Sequence, residues 1–323
     1  MTPLPRRPLG TSGIEVSVIG LGGNTFGPPR LDEQTTDRVV GAALDAGINF
    51  VDTAIVYGSG QSETFLGRAL GGRRDEMVIA TKCNFFDLAG EPAAARVRRQ
   101  VEESLRKLGT DRIDLLQVHF PSDDAPPEEV LPALEALVDE GKVRALGACN
   151  YAAWRLAEWQ CAARALGTSG LVSVQNYHHL LARPSAAEVL RYCRRRGLGF
   201  LPYHPLGGGF LTGKYRPGEP PPPGTRGAAG SPIITAMGTE SNWAALERLE
   251  AFARERGRSV GELAIAWLVA DEAISSVIVG VSNEQQLAAN VGASSWRLGA
   301  DELAEVEAMV GAPTVDPERP PYG

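Results

Sequence analysis

The sequence predicts an α/β fold, a closed (β/α)8 TIM barrel, on three observations. Short apolar runs alternate with helical patterns along the chain, eight such runs are present, and 323 residues suit one large barrel domain, residues 1–323. The runs are Val18–Leu21, Phe50–Val51, Val78–Ala80, Leu115–Val118, Val143–Gly147, Val172–Val174, Phe200–Pro202 and Val277–Val279. Parallel strands bury both faces, so they read as continuous apolar stretches.

Each element follows in order. Leu9–Val16 carries a Thr11-Ser12-Gly13 turn between short extended pieces and is expected to form a β-hairpin plugging the barrel bottom. Val97, Val101, Leu105 and Leu108 mark one face of a helix, and Val130, Leu134, Leu137 and Val138 that of a second. Ser122 or Asp124 can cap the second helix, Pro126 and Pro127 suit its first turn, and Gly141 can close it. From Gly207 to about Asn242 runs a long connection with Gly207-Gly208-Gly209 and Pro220 through Pro223; a structureless loop after the seventh strand is expected to be a lid. After the eighth strand, Gly280–Asn290 has the form of a helix N-terminus with Ser282 or Asn283 as cap. Such a terminus suits a phosphate, although an ordinary capped helix is the simpler reading of these residues alone. Gly20 through Thr25 breaks the G-x-G-x-x-G spacing at its last position, so any dinucleotide must bind by another route.

The chemistry lies where these runs end. Asn49-Phe50-Val51-Asp52-Thr53-Ala54-Ile55-Val56-Tyr57-Gly58 ends an apolar run in an acid, with a tyrosine five residues on. Met77–Thr81 ends in Lys82, and Ile113–Val118 ends in His119. Such positions fall at the sheet's carboxyl edge, where active sites of α/β folds form. A lysine ammonium beside a phenol favours the phenolate and lowers its pKa; Asp52 can hold the lysine, and His119 can orient a carbonyl or share the proton. Singly, each residue has a plain reading as cap, half-buried aromatic, solvated strand end or core histidine. The coincidence of all four carries the inference.

Composition bounds the partners. A net charge of −7 with both signs interspersed argues against nucleic acid or an anionic membrane surface. The segment Met1–Pro8 lacks the apolar core of a signal peptide and no stretch is long enough to span a bilayer, so a cytoplasmic location is expected. Cys83, Cys149, Cys161 and Cys193 are too scattered for a C-x-x-C pair, so neither a metal site nor a disulfide is expected, and Cys83 and Cys149 read as core. Arg194-Arg195-Arg196 before Gly197 reads as a solvated helix end. Phe85, Phe86, Phe120 and His178 follow strand exits; of these, Phe85 and Phe120 are expected to line a substrate pocket.

From Leu9-Gly10-Thr11-Ser12-Gly13 to Asn290 the chain closely resembles the aldo-keto reductase family. The resemblance includes Asp52-Thr53-Ala54 with Tyr57-Gly58 and Ser62-Glu63, Thr81-Lys82, Gln117-Val118-His119, Gly141-Lys142-Val143-Arg144, Gln175-Asn176, and Pro205 through Gly209 with Leu211-Thr212-Gly213-Lys214-Tyr215. It implies a barrel that binds NADPH (NADP+) in extended form, NADH less readily, and reduces aldehydes or ketones to alcohols. By resemblance Tyr57 is the general acid, Lys82 and Asp52 tune it, and His119 orients the carbonyl. Asn150 and Gln175 would hold the nicotinamide carboxamide, and Tyr203 would stack on its ring. Leu206, Gly208, Leu211 and Lys214, with Pro205, would cover the pyrophosphate, and the loop would close over it. Gly280, Ser282, Gln286 and Asn290 would take the adenosine phosphate, with Gly23 and Asn24 as further cofactor contacts.

Some positions depart from the family pattern. Cys149 stands where Ser is common, which weakens a hydrogen bond without removing Asn150. Ala289 replaces a glutamate and no arginine stands beside Ser282, so the preference for NADPH over NADH is less secure, with Arg226 as a compensating residue. Asn24 and Phe120 replace an aromatic residue and a Trp, which implies a wider or more polar pocket. The alternative function is a redox-sensing or regulatory subunit that binds NADPH with little turnover, as potassium-channel β subunits of this fold do; a hydrolase is more distant. Partners are thus a small carbonyl or alcohol substrate and no nucleic acid or membrane, with a homo-oligomer left open and the physiological substrate unspecified.

Overall fold

The computed structural model describes residues 4–86, 88 and 90–311. Met1, Thr2 and Pro3 of the N-terminal segment, and both ends of the expected 1–323 domain, lie outside them. A hairpin of β1 (Arg6–Pro8) and β2 (Glu15–Ser17) is antiparallel, with Arg6 opposite Ser17 and Pro8 opposite Glu15. Eight parallel strands follow: β3 (Ile19–Gly22), β4 (Phe50–Asp52), β5 (Val78–Cys83), β6 (Ile113–Val118), β7 (Val143–Cys149), β8 (Ser173–Tyr177), β9 (Gly199–Tyr203) and β10 (Val277–Val279). They close into a barrel in the order β10-β3-β4-β5-β6-β7-β8-β9, at the eight places the apolar runs mark.

Side chains alternate in and out along each strand, and this parity builds both core and site. Phe50, Ala80, Leu115, Ala145, Leu201 and Ile278 point into the barrel, where Leu9, Ile14 and Val16 of the hairpin region pack against them. The hairpin therefore plugs the end at which the strands begin. On β4, β5, β6 and β9 the next inward position, two residues on, is Asp52, Lys82, Gln117 and Tyr203 in turn. Lys82 thus lies within β5 rather than beyond it. A larger apolar core fills the space between barrel and helices.

The helix Ala93–Leu108 buries Val97, Val101, Leu105 and Leu108 as its periodicity requires. The helix Pro127–Asp139 buries Val130, Leu134 and Leu137, but neither Ser122 nor Asp124 caps it. Pro126 stands at the cap position, and the Ser122 hydroxyl accepts instead from the Asp124 N–H at 3.3 Å. Gly141, at φ 72°, follows its last turn. The connection after β9 is not structureless. It contains a 3-10 turn, Gly207–Thr212, and a short helix, Pro232–Met237, before the helix Glu240–Glu255. Phe210, Leu211, Ile233, Ile234 and Met237 are buried, and their burial stabilises turns that the glycines and prolines disfavour locally. After β10 the cap of the helix Glu284–Ala293 is Asn283, whose side chain accepts from the Gln286 N–H; the Ser282 N–H donates to the Gln286 side chain at 2.8 Å. Among the described residues no helix is long and apolar enough to cross a membrane.

Candidate active site

At the carboxyl edge of the barrel the inward polar residues meet. Lys82 Nζ lies 2.7 Å from both carboxylate oxygens of Asp52, 2.9 Å from the Thr53 carbonyl and 3.1 Å from the Tyr57 hydroxyl. Lys82 is fully buried and Asp52 nearly so, so neither charge is tolerable without the other. Gln117 and Gln175 also donate to Oδ1 of Asp52, at 3.1 and 2.7 Å, and Gln175 Nε2 donates to the side-chain oxygen Oε1 of Gln117 at 3.4 Å. Gly147 makes room for this: a Cβ there would stand 2.8 Å from Ser173 Oγ and 3.2 Å from Gln117 Cγ.

Tyr57 comes from the turn after β4. That turn needs Gly58, at φ 55°, because a Cβ would fall 1.9 Å from the Phe26 carbonyl oxygen. Behind it Ser62 bridges to Thr53 Oγ1 at 2.7 Å and to the Gly23 carbonyl at 2.8 Å, while Glu63 accepts from Thr81 at 2.6 Å. Burial pushes the Tyr57 phenol up to about 12; the Lys82 charge opposes that rise and Asp52 reinforces it. The lowering expected from Lys82 is therefore outweighed, because the whole cluster is withdrawn from water. Burial alone would lower the Lys82 ammonium, but Asp52 first and then Tyr57 hold it above its ordinary value. Burial, then the Lys82 charge, takes His119 down to about 3, so its imidazole is neutral near neutral pH. Its ring meets that of Tyr57 edge-on, centroids 5.7 Å apart.

A cleft of about 1830 Å³ opens above these groups. Asp52, Tyr57 and His119 line its floor, with Lys82 beneath. Its walls include Asn24, Phe120, Asn150, Gln175, Tyr203, Pro205, Leu206, Gly208, Lys214, Gly280, Ser282, Gln286 and Asn290. Tyr203 donates its hydroxyl to Asn150 Oδ1 at 2.7 Å, and Asn150, at φ 64°, sends Nδ2 to the His119 carbonyl at 3.0 Å. Cys149 does bond its neighbours: it accepts from Asn150 Nδ2 at 3.3 Å, and its thiol is 3.5 Å from Gln175 Oε1.

Three expected residues lie off the cleft. Gly23 is buried behind the floor, where a Cβ would stand 3.0 Å from the Asp52 carbonyl. Leu211 is buried in the core, and its N–H is held by the Leu206 carbonyl at 3.1 Å. Phe85, 3% exposed, packs into the outer core, whereas Phe86, 55% exposed, meets the ring of Phe120. His178 is also core, between Phe200 and Trp267. Of the wider or more polar pocket implied by Asn24 and Phe120, the structure shows a polar wall at Asn24 and an apolar one at Phe120.

Gln117 went without a role in the sequence, yet its inward parity with Leu115 and His119 marks it. Arg30 and His204 also line the cleft, His204 at φ 55°, and no run or motif points to either. Among the described residues no group of three or more His, Cys, Asp or Glu side chains is arranged to hold a metal ion.

The cleft fits an extended anionic ligand. Lys214, Arg226, the Ser282 hydroxyl, Gln286 and Asn290 supply donors, and the ten-residue helix Glu284–Ala293 points its N-terminus there. A Cβ on Gly280 would project between Asn24 Oδ1 at 3.7 Å and Arg226 Nη2 at 3.9 Å, so glycine keeps that approach open.

A closed parallel barrel with its polar side chains gathered at one mouth falls, as a class, among the (β/α)8-barrel enzymes. Comparison with known proteins narrows that class to an oxidoreductase. Residues 18–310 match the model of the Aldo/keto reductase family. An uncharacterized oxidoreductase, YrpG, of Bacillus subtilis (strain 168) is 35% identical over 296 residues, covering 86% of this chain and 87% of its own. The versiconal hemiacetal acetate reductase of Aspergillus parasiticus is 31% identical, covering 93% and 95%, and the L-galactose dehydrogenase of Arabidopsis thaliana 32% identical, covering 96% and 95%. The chain belongs to the aldo/keto reductase family.

Proposed function

We propose that the protein reduces an aldehyde or ketone to an alcohol, reversibly, with NADPH as cofactor and Tyr57 as general acid. One observation carries this: the Tyr57 hydroxyl accepts from Lys82 Nζ at 3.1 Å, which leaves its own proton free for an acceptor in the cleft beside His119. A phenol pushed up to about 12 stays protonated at neutral pH and is a proton donor there. The neutral His119 orients the carbonyl oxygen toward it, and the buried Lys82–Asp52 pair supports the phenolate left after transfer. When bound, the reduced nicotinamide supplies the hydride.

In this reading Asn150 and Gln175 hold the carboxamide and Tyr203 stacks on the ring. Asn24, Pro205, Leu206, Gly208 and Lys214 follow the pyrophosphate, and Gly280, Ser282, Gln286 and Asn290 take the adenosine end. Arg226 and Lys214 are cations on the cleft that favour the extra phosphate of NADPH over NADH. One relative is named a reductase and another a dehydrogenase, which supports a reversible reaction. Residues 1–323 make one barrel domain in the cytoplasm, acting on a small molecule.

Fluorescence titration with NADPH and NADH, followed by nitrobenzaldehyde turnover, tests the proposal. Tighter NADPH binding with turnover supports it. Binding without turnover would favour a regulatory subunit, and binding of neither nucleotide would end the cofactor assignment.

A further inference from the structure

Four large apolar side chains are exposed among the described residues: Val56 (54%), Phe86 (55%), Trp154 (59%) and Leu166 (44%). The first three follow β4, β5 and β7 at the catalytic mouth, whereas Leu166 ends the helix Ala153–Leu166 at the other end of the barrel. Clustered exposure at one rim marks a binding surface more than scattered exposure does.

Phe86 is also the outer end of a ladder of rings. Tyr57 and His119 have centroids 5.7 Å apart, His119 and Phe120 stack at 4.6 Å, and Phe120 and Phe86 meet at 5.2 Å. All three separations lie within the range of about 4.5–7 Å in which aromatic pairs attract. The ladder leads without a break from the phenol to solvent. Its place on the barrel decides what it serves. By strand order, β5 and β6 stand diametrically opposite β9 and β10. The latter precede the segments around Lys214 and Ser282 assigned above to the nucleotide, so Phe120 on the cleft wall, and Phe86 against its outer side, stand on the half left for substrate.

The geometry points to aldehydes or ketones with an extended aromatic body as the substrate class, the rings lying along Phe120 and Phe86 while the carbonyl meets Tyr57 and His119. This inference rests on the carbonyl-reductase reading. Short polyhydroxy aldehydes gain nothing from such a wall, because their hydroxyls would exchange water for carbon. Phe86 acts as a specificity residue, distant from the proton transfer itself.

The experiment compares kcat/KM, at saturating NADPH, for 2-naphthaldehyde and glyceraldehyde in wild type, Phe86→Ser and Leu166→Ser. Wild type is expected to prefer 2-naphthaldehyde. Phe86→Ser is expected to cut the naphthaldehyde-to-glyceraldehyde ratio about tenfold, the scale of a lost apolar contact. Leu166→Ser, which also removes exposed apolar surface but away from the mouth, should leave the ratio unchanged. An unchanged ratio in Phe86→Ser, or a wild-type preference for glyceraldehyde, overturns the inference while leaving the reductase reading intact. Absence of turnover with both aldehydes overturns that reading and this one with it. Phe86 is exposed, so an unaltered melting midpoint is expected to confirm that Phe86→Ser is folded.

Discussion

The Gln175 amide donates to Oδ1 of Asp52 at 2.7 Å, the same oxygen that Lys82 and Gln117 reach. A residue proposed to hold the cofactor thus also holds the carboxylate that anchors the lysine behind Tyr57. Binding and proton chemistry share one hydrogen-bonded cluster, and Gln117 is its buried hinge, accepting from Gln175 and donating to Asp52.

Gln117→Leu is expected to lower stability by about 1.5–3 kcal/mol, the scale of a hydrogen bond to a charged group. It should lower kcat with little change in NADPH affinity, whereas Gln175→Leu should weaken both. Urea unfolding with nucleotide titration checks this, and an unaltered kcat in Gln117→Leu would show that the cluster does not reach the phenol.

Lys82→Met leaves the Asp52 charge buried without its cation. The expected loss is about 3–5 kcal/mol, as for other broken buried pairs. Lys82→Met with Asp52→Asn should regain much of that stability but none of the turnover. A double variant no more stable than Lys82→Met would contradict the pairing argument.

All four histidines, His119, His178, His179 and His204, are lowered chiefly by burial, His178 to about 4 and the others to about 3. In the unfolded chain a histidine takes its proton near pH 6.5, so between about pH 6.5 and about 4 the unfolded state binds more protons. Stability is therefore full above that window and falls as pH drops through it. For His119, His178 and His179, each nearly or fully buried, the loss is about 1.4 kcal/mol per pH unit apiece. Thermal unfolding should show a clearly lower midpoint at pH about 5 than at pH about 7; equal midpoints would contradict it.

Thiol reactivity should be confined to one position. Burial pushes the Cys83, Cys149 and Cys193 thiols up to about 12, and only Cys161 is exposed. Brief iodoacetamide treatment of the folded protein, read by mass spectrometry, is expected to label Cys161 alone. Labelling of Cys149 would show that the cleft opens further than the structure allows.

The barrel was legible because parallel strands bury both faces and leave apolar runs at all eight places. Asp52, Tyr57, Lys82 and His119 were legible because each ends such a run or follows it closely. The place of Phe85 was not legible, because the residues past β5 lack the ladder that fixes which way a side chain faces, and it packs into the outer core. The 3-10 turn and short helix after β9 were hidden because Phe210, Ile233 and Met237 are held by tertiary burial, while the local sequence is rich in glycine and proline. The choice between Ser282 and Asn283 as cap turns on one hydrogen bond, which spacing alone does not fix. His204 and Arg30 reach the cleft by loop geometry, which leaves no periodic trace.

The central claim is that Tyr57 gives its proton to the carbonyl. Carbonyl turnover and NADPH affinity in Tyr57→Phe test it most directly, because the variant removes one hydroxyl and keeps the ring. The expected result is turnover lost by about 100-fold or more, the scale of general acid catalysis, with NADPH bound as in wild type. Turnover equal to wild type with intact binding would contradict the account.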